Sequence, residues 1–469
     1  MRLLSGQAAH AVAALRLPAQ TEIPKRLPHR RERTLSRRRA RKADHDRYAL
    51  SSSGSTPARV RPMSTVAFLN IAMHGHINPT LPVVAELVRR GHPVNYHVTP
   101  DFAEAVGATG ARVLRYSGDE LAFSGPPTRV TLMAHLARTA VRVLPGVLAD
   151  LRDAQPDLIV HDSLCPWGPV AARELGVPAA SSFTTFAFNR QVPSPTHGSR
   201  EMLAEAAALP RHTGAYLRSR WQLRRRYDTR TVPMIDLANI RQPLNLVYTS
   251  RAFHPAADSF DESYRFVGAS VGARAVDSSF PADGLRDPVL YASLGTVFEA
   301  GPRLLRSFVE ALAPLGGTVV VSTGRTDPAV LGPLPANVIA HRSVPQPQVL
   351  ARAALFITHG GVNSVNEALY AGVPMLVVPQ GADQSLVASR VVELEAGLSI
   401  RGEDVDVEVV SGLARRLLDE PRFRAGVNAL QVAQREAGGY ARAADELERY
   451  VQQIRRATRP YSADQPPRD

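Results

Sequence analysis

The chain has 469 residues, 44% of them hydrophobic, a net charge of +13 and a single cysteine, Cys165. That length supports more than one core, and a lone thiol excludes both an intramolecular disulfide and a cysteine-ligated zinc site. The charge invites a nucleic-acid reading, but residues 1–62 hold 15 Lys+Arg against 4 Asp+Glu, so +11 of the total lies there and only +2 in the rest.

Residues 1–62 are rich in Arg, Ser and Pro and include the run Arg37-Arg38-Arg39-Ala40-Arg41-Lys42. They lack the periodic apolar residues of a folded unit. They read as a disordered appendage or an over-long start, with a basic tail or targeting peptide as the other reading. The apolar segment 8–17 is short and interrupted, and no other stretch reaches the roughly 18 uncharged apolar residues of a membrane span. The expectation is a cytoplasmic protein with no integral membrane segment and no nucleic-acid partner.

From Thr65 short apolar strands alternate with helices. Residues 66–71 read as a strand, followed by a turn through Gly75. A helix then starts near Pro79, its apolar stripe formed by Leu81, Val84, Leu87 and Val88. Gly91 ends it, and 94–98 is the next strand. Residues 157–160 form another buried strand, and 170–174 are helical and closed by Gly176. This order implies a parallel sheet covered on both faces.

Residues 189–240 are Arg-rich, carry Trp221 and show no strand signal before 244–248; they read as helices and loops over the sheet. Segment 271–287, with Gly, Pro, Ser and Asp, is the linker. A second alternation follows: strand 289–293, helix 303–313, strands 318–322 and 355–358, helix 364–371, strand 375–378, and a helical tail over 427–456. The fold class expected is α/β, two doubly wound, Rossmann-like parallel-sheet domains (63–270 and 288–469) facing a cleft. The last helix is expected to pack back on the first domain. Ligands in such sheets bind at the carboxyl ends of strands.

Several residues in the second domain suit a nucleoside diphosphate. Gly360-Gly361 lies between a strand and a helix, where small residues let a phosphate approach the backbone. The amides of 362–364 then open a helix whose dipole favours an anion. His359 adds a donor and Thr296 a hydroxyl from the facing loop. Glu367, one turn into the helix, can accept from two ribose hydroxyls, and Asp383 and Gln384 can grip sugar hydroxyls. Taken singly, Gly360-Gly361 could be a plain turn, Glu367 a solvated helix residue and Asp383 a helix cap.

In order along the chain, these elements resemble the signature of the UDP-dependent glycosyltransferases of GT-B fold, in the bacterial branch acting on macrolides and flavonoid-like molecules. The residues are Ser293-Leu294-Gly295-Thr296, Val344-Pro345-Gln346, Thr358-His359-Gly360-Gly361-Val362-Asn363-Ser364, Glu367, Ala371-Gly372-Val373-Pro374, Pro379 and Asp383-Gln384. The family often has Trp at the position of Ser343, where the ring stacks on uracil. Ser343 cannot stack, so either the Arg342 guanidinium covers the base or base selectivity is reduced.

In the first domain, Gly75-His76-Ile77-Asn78-Pro79 is similar to the family's catalytic turn. The resemblance implies His76 as the base that deprotonates the acceptor and Asp162, in Val160-His161-Asp162-Ser163, as its carboxylate partner. His74 is the alternative base and could line the cleft. Phe183, Phe186, Phe188, Trp221 and Leu132 could line an acceptor pocket, although core packing suits at least half of them. Asp404-Val405-Asp406 resembles a metal-binding Asp-x-Asp but sits at a helix start, and Cys165 reads as a buried small apolar group.

The implied activity is an inverting transfer, without metal or other cofactor, of a hexose from a UDP-sugar to a hydrophobic, hydroxylated small molecule. A dTDP-deoxysugar-dependent antibiotic glycosyltransferase, a nucleotide-sugar epimerase on the same fold and a non-catalytic nucleotide-sugar binder are the other readings.

Overall fold

The structure, a computed structural model, describes residues 63–458 except 117–127, 193–199, 235–236, 238, 273–279, 281–283 and 296–300.

The first sheet is built from β1 (Val66–Leu69), β2 (Val94–Val98), β3 (Arg112–Arg115), β4 (Leu158–Asp162), β5 (Ala179–Phe183), β6 (Leu244–Val247) and β7 (Tyr264–Phe266). All its pairings are parallel, in the order β3-β2-β1-β4-β5-β6-β7. β1, β2, β4, β5 and β6 are buried at every position, as strands covered on both faces are, and polar residues such as Asn95 and His97 of β2 are enclosed with them. The order reverses between β1 and β4.

Helices α1 (His74–Ile77), α2 (Leu81–Arg89), α3 (Ala103–Gly107), α4 (Arg129–Ala154), α5 (Trp167–Leu175), α6 (Arg200–Ala208) and α7 (Pro210–Arg226) accompany this sheet. α2 buries Val83, Val84 and Leu87 against one face. α4, α5 and α7 cover the other, with Trp167 fully enclosed. α4 is long and apolar enough to cross a membrane, but the apolar positions from Val130 to Leu151 are core residues here.

The second sheet contains β8 (Val289–Ser293), β9 (Thr318–Ser322), β10 (Val338–His341), β11 (Ala353–Thr358), β12 (Met375–Val377) and β13 (Gly397–Ser399), again all parallel, in the order β10-β9-β8-β11-β12-β13. Here the order reverses between β8 and β11. Its helices are α8 (Pro302–Leu312), α9 (Gln346–Leu350), α10 (Val362–Ala371), α11 (Ala382–Glu393), α12 (Val407–Asp419) and α13 (Pro421–Glu436).

The helical tail expected over 427–456 is two helices, α13 and α14 (Gly439–Thr458). The break falls at Gly438 and Gly439, both at positive φ. Gly439 donates its amide to the Val267 carbonyl beside the first sheet, a backbone partner that a continuous helix would deny it. α14 then packs on α2, with Ala443, Ala444, Leu447 and Val451 in that core.

A buried polar network joins the two halves. Thr249 Oγ1 donates to Asn366 Oδ1 (2.7 Å), Asn366 Nδ2 to the Tyr248 carbonyl (2.8 Å), Gln434 Nε2 to Asn366 Oδ1 (2.8 Å) and the Ala269 amide to Gln434 Oε1 (2.9 Å). Such groups are stable away from water only when each finds a partner. The network ties the floor of the first sheet to α10.

Candidate active site

A doubly wound sheet opens a crevice at the carboxyl edge where its strand order reverses. In the first sheet that edge carries α1, following β1, and Asp162, the last residue of β4. The segment after β1 folds as one helical turn in place of the expected open turn. Asn70 Nδ2 donates to the His76 carbonyl (3.1 Å) and Tyr96 Oη (2.8 Å), while Thr80 Oγ1 donates to the Ile77 carbonyl (2.8 Å).

This clamp orients His76, which is almost fully buried, so that its Nδ1 lies 2.8 Å from Asp162 Oδ2. Asp162 is itself fixed, since Oδ1 accepts the Leu164 amide at 2.7 Å. A third residue, not singled out from the sequence, completes the group. Thr184 Oγ1 is 2.8 Å from His76 Nδ1 and donates to Asp162 Oδ2 at 3.3 Å. Its only signal is a hydroxyl just past the end of a buried strand. His74 is exposed and packs edge-on against Phe102, with ring centroids 4.7 Å apart.

The second sheet repeats the arrangement at its own reversal, where Gly295 follows β8 and His359 follows β11. Gly295 has φ +79, and a Cβ there would sit 2.7 Å from His359 Cε1. Gly360 has φ +88, and a Cβ would meet Val377 Cγ1 at 2.7 Å. Only glycine meets both demands. His359 Nδ1 is sealed from solvent without a hydrogen-bond partner, and burial lowers the imidazole pKa to about 4. The ring is therefore neutral near pH 7 and has an N–H to offer, not a charge.

α10 starts at Gly361, which has no side chain to cap the first amides; they remain available to an anion. Within this helix Glu367 is buried, not solvated. Its Oε2 accepts from Gln346 Nε2 at 2.7 Å and its Oε1 from Asn363 Nδ2 at 3.2 Å. Gln346 also reaches Ser364 Oγ (3.3 Å) and takes a bond from Tyr291 Oη (3.1 Å). One connected set thus fixes the carboxylate at the mouth of the helix. Val344 packs half-buried against the core.

Ser343 is exposed. The adjacent Arg342 guanidinium lies 3.5 Å from Asp327, so the cation expected to cover the base is engaged by a carboxylate. Thr296 lies outside the described residues. Asp383 is in the first turn of α11, and the cap position belongs to Gly381. Asp383 is open to the cleft yet closely surrounded. Desolvation raises its pKa, while the amides of Asp383 and Gln384 and the charge of His76 lower it. The two crevices are brought together where α1 packs against α10. Gln384 is buried, with Oε1 accepting the Gln380 amide at 2.7 Å.

The aromatic pocket expected from sequence is corrected. Phe183 and Phe186 are 0% and 2% exposed and present no wall to a ligand. Phe186 packs on Phe253 and His254, Phe183 on Tyr264, and Phe188 joins the same core. Leu132 packs on the core under α4, and Trp221 points outward from α7. Asp406 caps α12 by accepting the Glu408 amide, and Asp404 pairs with Arg401. Cys165 is buried, and desolvation pushes its thiol pKa up.

Two parallel-sheet domains whose reversal points face one another define the GT-B class of glycosyltransferases. Residues 306–439 match the family model of the erythromycin biosynthesis protein CIII-like C-terminal domain. The chain is 32% identical over 396 residues to the NDP-glycosyltransferase YjiC of Bacillus subtilis, covering 82% of this chain and 97% of that protein. It is 33% identical over 429 residues to the oleandomycin glycosyltransferase of Streptomyces antibioticus, covering 88% and 96%. The solved structure of the glycosyltransferase of kitacinnamycin superposes with a TM-score of 0.72 at 30% identity, over 83% of this chain and 100% of that one. The chain belongs to this family of NDP-sugar and macrolide glycosyltransferases.

Proposed function

We propose that the protein is an inverting, metal-independent glycosyltransferase that moves a hexose from a UDP-sugar, UDP-glucose foremost, to a hydroxyl of a hydrophobic small molecule such as a macrolide, other polyketide or flavonoid. The observation that carries this reading is the contact of His76 Nδ1 with Asp162 Oδ2 at 2.8 Å. With Nδ1 holding its proton against the carboxylate, Nε2 is left to take the proton of the acceptor hydroxyl. The freed oxygen bonds to the anomeric carbon. The bond from that carbon to the phosphate oxygen breaks on the opposite face, and the electron pair leaves with the nucleoside diphosphate.

The developing charge is met by the uncapped start of α10 and by the neutral His359. Thr296, Asn363 and Ser364 are assigned to the same diphosphate, with Gly361 admitting it close to the backbone and Ser343, Val344 and Gln346 bordering the nucleoside. Glu367, held by Gln346 and Asn363, is set to accept from both ribose hydroxyls, which favours uridine over thymidine donors. Asp383 and Gln384 are assigned to the sugar, and the packing of α1, which carries His76, against α10 of the other domain supports a sugar held between the two domains. Cytoplasmic location is supported by the single, buried cysteine.

The test is a matrix of UDP- and dTDP-sugars against phenolic and macrolide acceptors, read by mass. A gain of one hexose from UDP-glucose with inverted anomeric configuration supports the reading. Transfer from dTDP-deoxysugars alone overturns the donor assignment. Epimerised donor in the absence of acceptor overturns the reaction class.

A further inference from the structure

Helix α7 lies far from these chemical groups in role and has an unusual surface. Tyr216, Ser219, Arg220 and Leu223 are buried, and the helix packs along α4. Tyr216 donates to the Met234 carbonyl, and Arg220 donates from Nη2 to the Val232 carbonyl (3.2 Å), so the inner face is packed against the 232–234 segment. On the outer side, Leu217 and Trp221, one turn apart, are 52% and 56% exposed. Arg218, Arg224 and Arg225 are exposed on the same side of the helix. The Arg225 guanidinium sits 4.7 Å from the centre of the Trp221 ring.

Two features set this face apart. The 17 residues of α7 include no Asp or Glu, whereas an ordinary solvated helix balances its cations with acids three or four positions away. And of the nine large hydrophobics exposed among the described residues, four (Leu203, Leu217, Trp221 and Met234) fall on α7 or the segments beside it. Met234 Sδ lies 3.6 Å from Arg220 Nη2, so Met234 flanks the inner side of the helix, and Leu217 and Trp221 carry the apolar part of its outer side.

We propose that this face docks the protein on an anionic lipid surface. The chemistry fits in two parts. Arg218, Arg224 and Arg225 meet the phosphate headgroups, and Leu217 and Trp221 enter the boundary between headgroups and acyl chains, where an indole is favoured. A polyanion without an apolar layer would satisfy the arginines and leave the leucine in water. Docking places the protein at the interface without crossing it.

The chain contains two tryptophans, and Trp167 is fully buried, so solvent-accessible indole fluorescence reports Trp221. The full chain is mixed with phosphatidylglycerol or phosphatidylcholine vesicles, and emission, acrylamide quenching and co-sedimentation are followed. Phosphatidylglycerol vesicles are expected to shift emission to the blue and reduce quenching several-fold, and phosphatidylcholine to do neither. Leu217→Ser combined with Arg224→Gln and Arg225→Gln is expected to weaken the Trp221 response at least tenfold. These side chains are exposed, and far-UV circular dichroism verifies the fold.

Residues 1–62 carry charge of their own, which makes the site-specific readout decisive. A chain that sediments with phosphatidylglycerol while Trp221 remains fully quenchable overturns the proposal, as does failure to sediment. Equal protection of Trp221 by heparin assigns the face to polyanions and also overturns it.

Discussion

His76 and Asp162, 86 positions apart in sequence, meet at 2.8 Å because β1 and β4 are neighbours at the reversal of the first sheet. Gly295 and His359 meet by the same device in the second sheet. The fold thus generates two crevices from one rule. The sequence places a histidine–aspartate pair at one and a glycine-flanked histidine before an uncapped helix at the other.

Asp162→Asn keeps an oxygen for the Leu164 amide but removes the charge that stabilises an imidazolium. Turnover is expected to fall about 10²–10⁴-fold with donor affinity little changed. Steady-state kinetics beside calorimetric donor binding checks this, and parallel losses in both would assign Asp162 to folding instead.

Thr184→Val preserves shape and deletes the hydroxyl that touches both His76 and Asp162. Loss of one hydrogen bond of about 1 kcal/mol predicts a fall in kcat of roughly five- to tenfold. The pH profile of kcat/KM should shift, and Thr184→Ser should restore it. An unchanged profile would remove Thr184 from the positioning of the base.

Glu367→Gln leaves the Gln346 and Asn363 amide groups facing another amide group. The KM for the UDP-sugar is expected to rise about tenfold, the cost of disrupting a charged hydrogen-bonded pair. The preference for uridine over thymidine donors should narrow. Measuring both donors separates loss of ribose recognition from general loss of the site.

Acid should destabilise the fold through buried histidines. His161 donates from Nδ1 to the Asp162 carbonyl and accepts at Nε2 from Gln242 Nε2, and His254 donates to the Pro255 carbonyl and accepts from the Ala187 amide. Both are thereby held neutral, and burial lowers each pKa from 6.5 to about 4. Below pH 6.5 the unfolded chain takes up protons that the folded chain refuses. Their contribution is therefore full above pH 6.5 and lost as pH falls through about 4. Thermal melts from pH 8 to 4 should show Tm declining across that window; a flat profile would contradict it.

Much of this was legible in the sequence because two signals coincide. Short runs such as Val289–Ser293, mostly apolar, and Val94–Val98, apolar at alternate positions, fall where strands are found, and Gly360-Gly361 and His76 lie at strand ends, where a parallel sheet exposes its chemistry. What escaped depended on partners distant in sequence. The clamp of Asn70, Thr80 and Tyr96 turns the segment after β1 into a helical turn. Gly439 breaks the tail because Val267 waits for its amide. Phe183 and Phe186 looked like pocket walls, since an aromatic side chain after a strand reads the same whether it meets a ligand or Tyr264 and Phe253.

The most direct measurement is sugar transfer by His76→Ala, with UDP-sugar binding followed by calorimetry on the same protein. The account predicts turnover at least 10²-fold below wild type with donor affinity retained, because the diphosphate and ribose groups belong to the other domain. Full turnover by His76→Ala would contradict the assignment of His76 as the base.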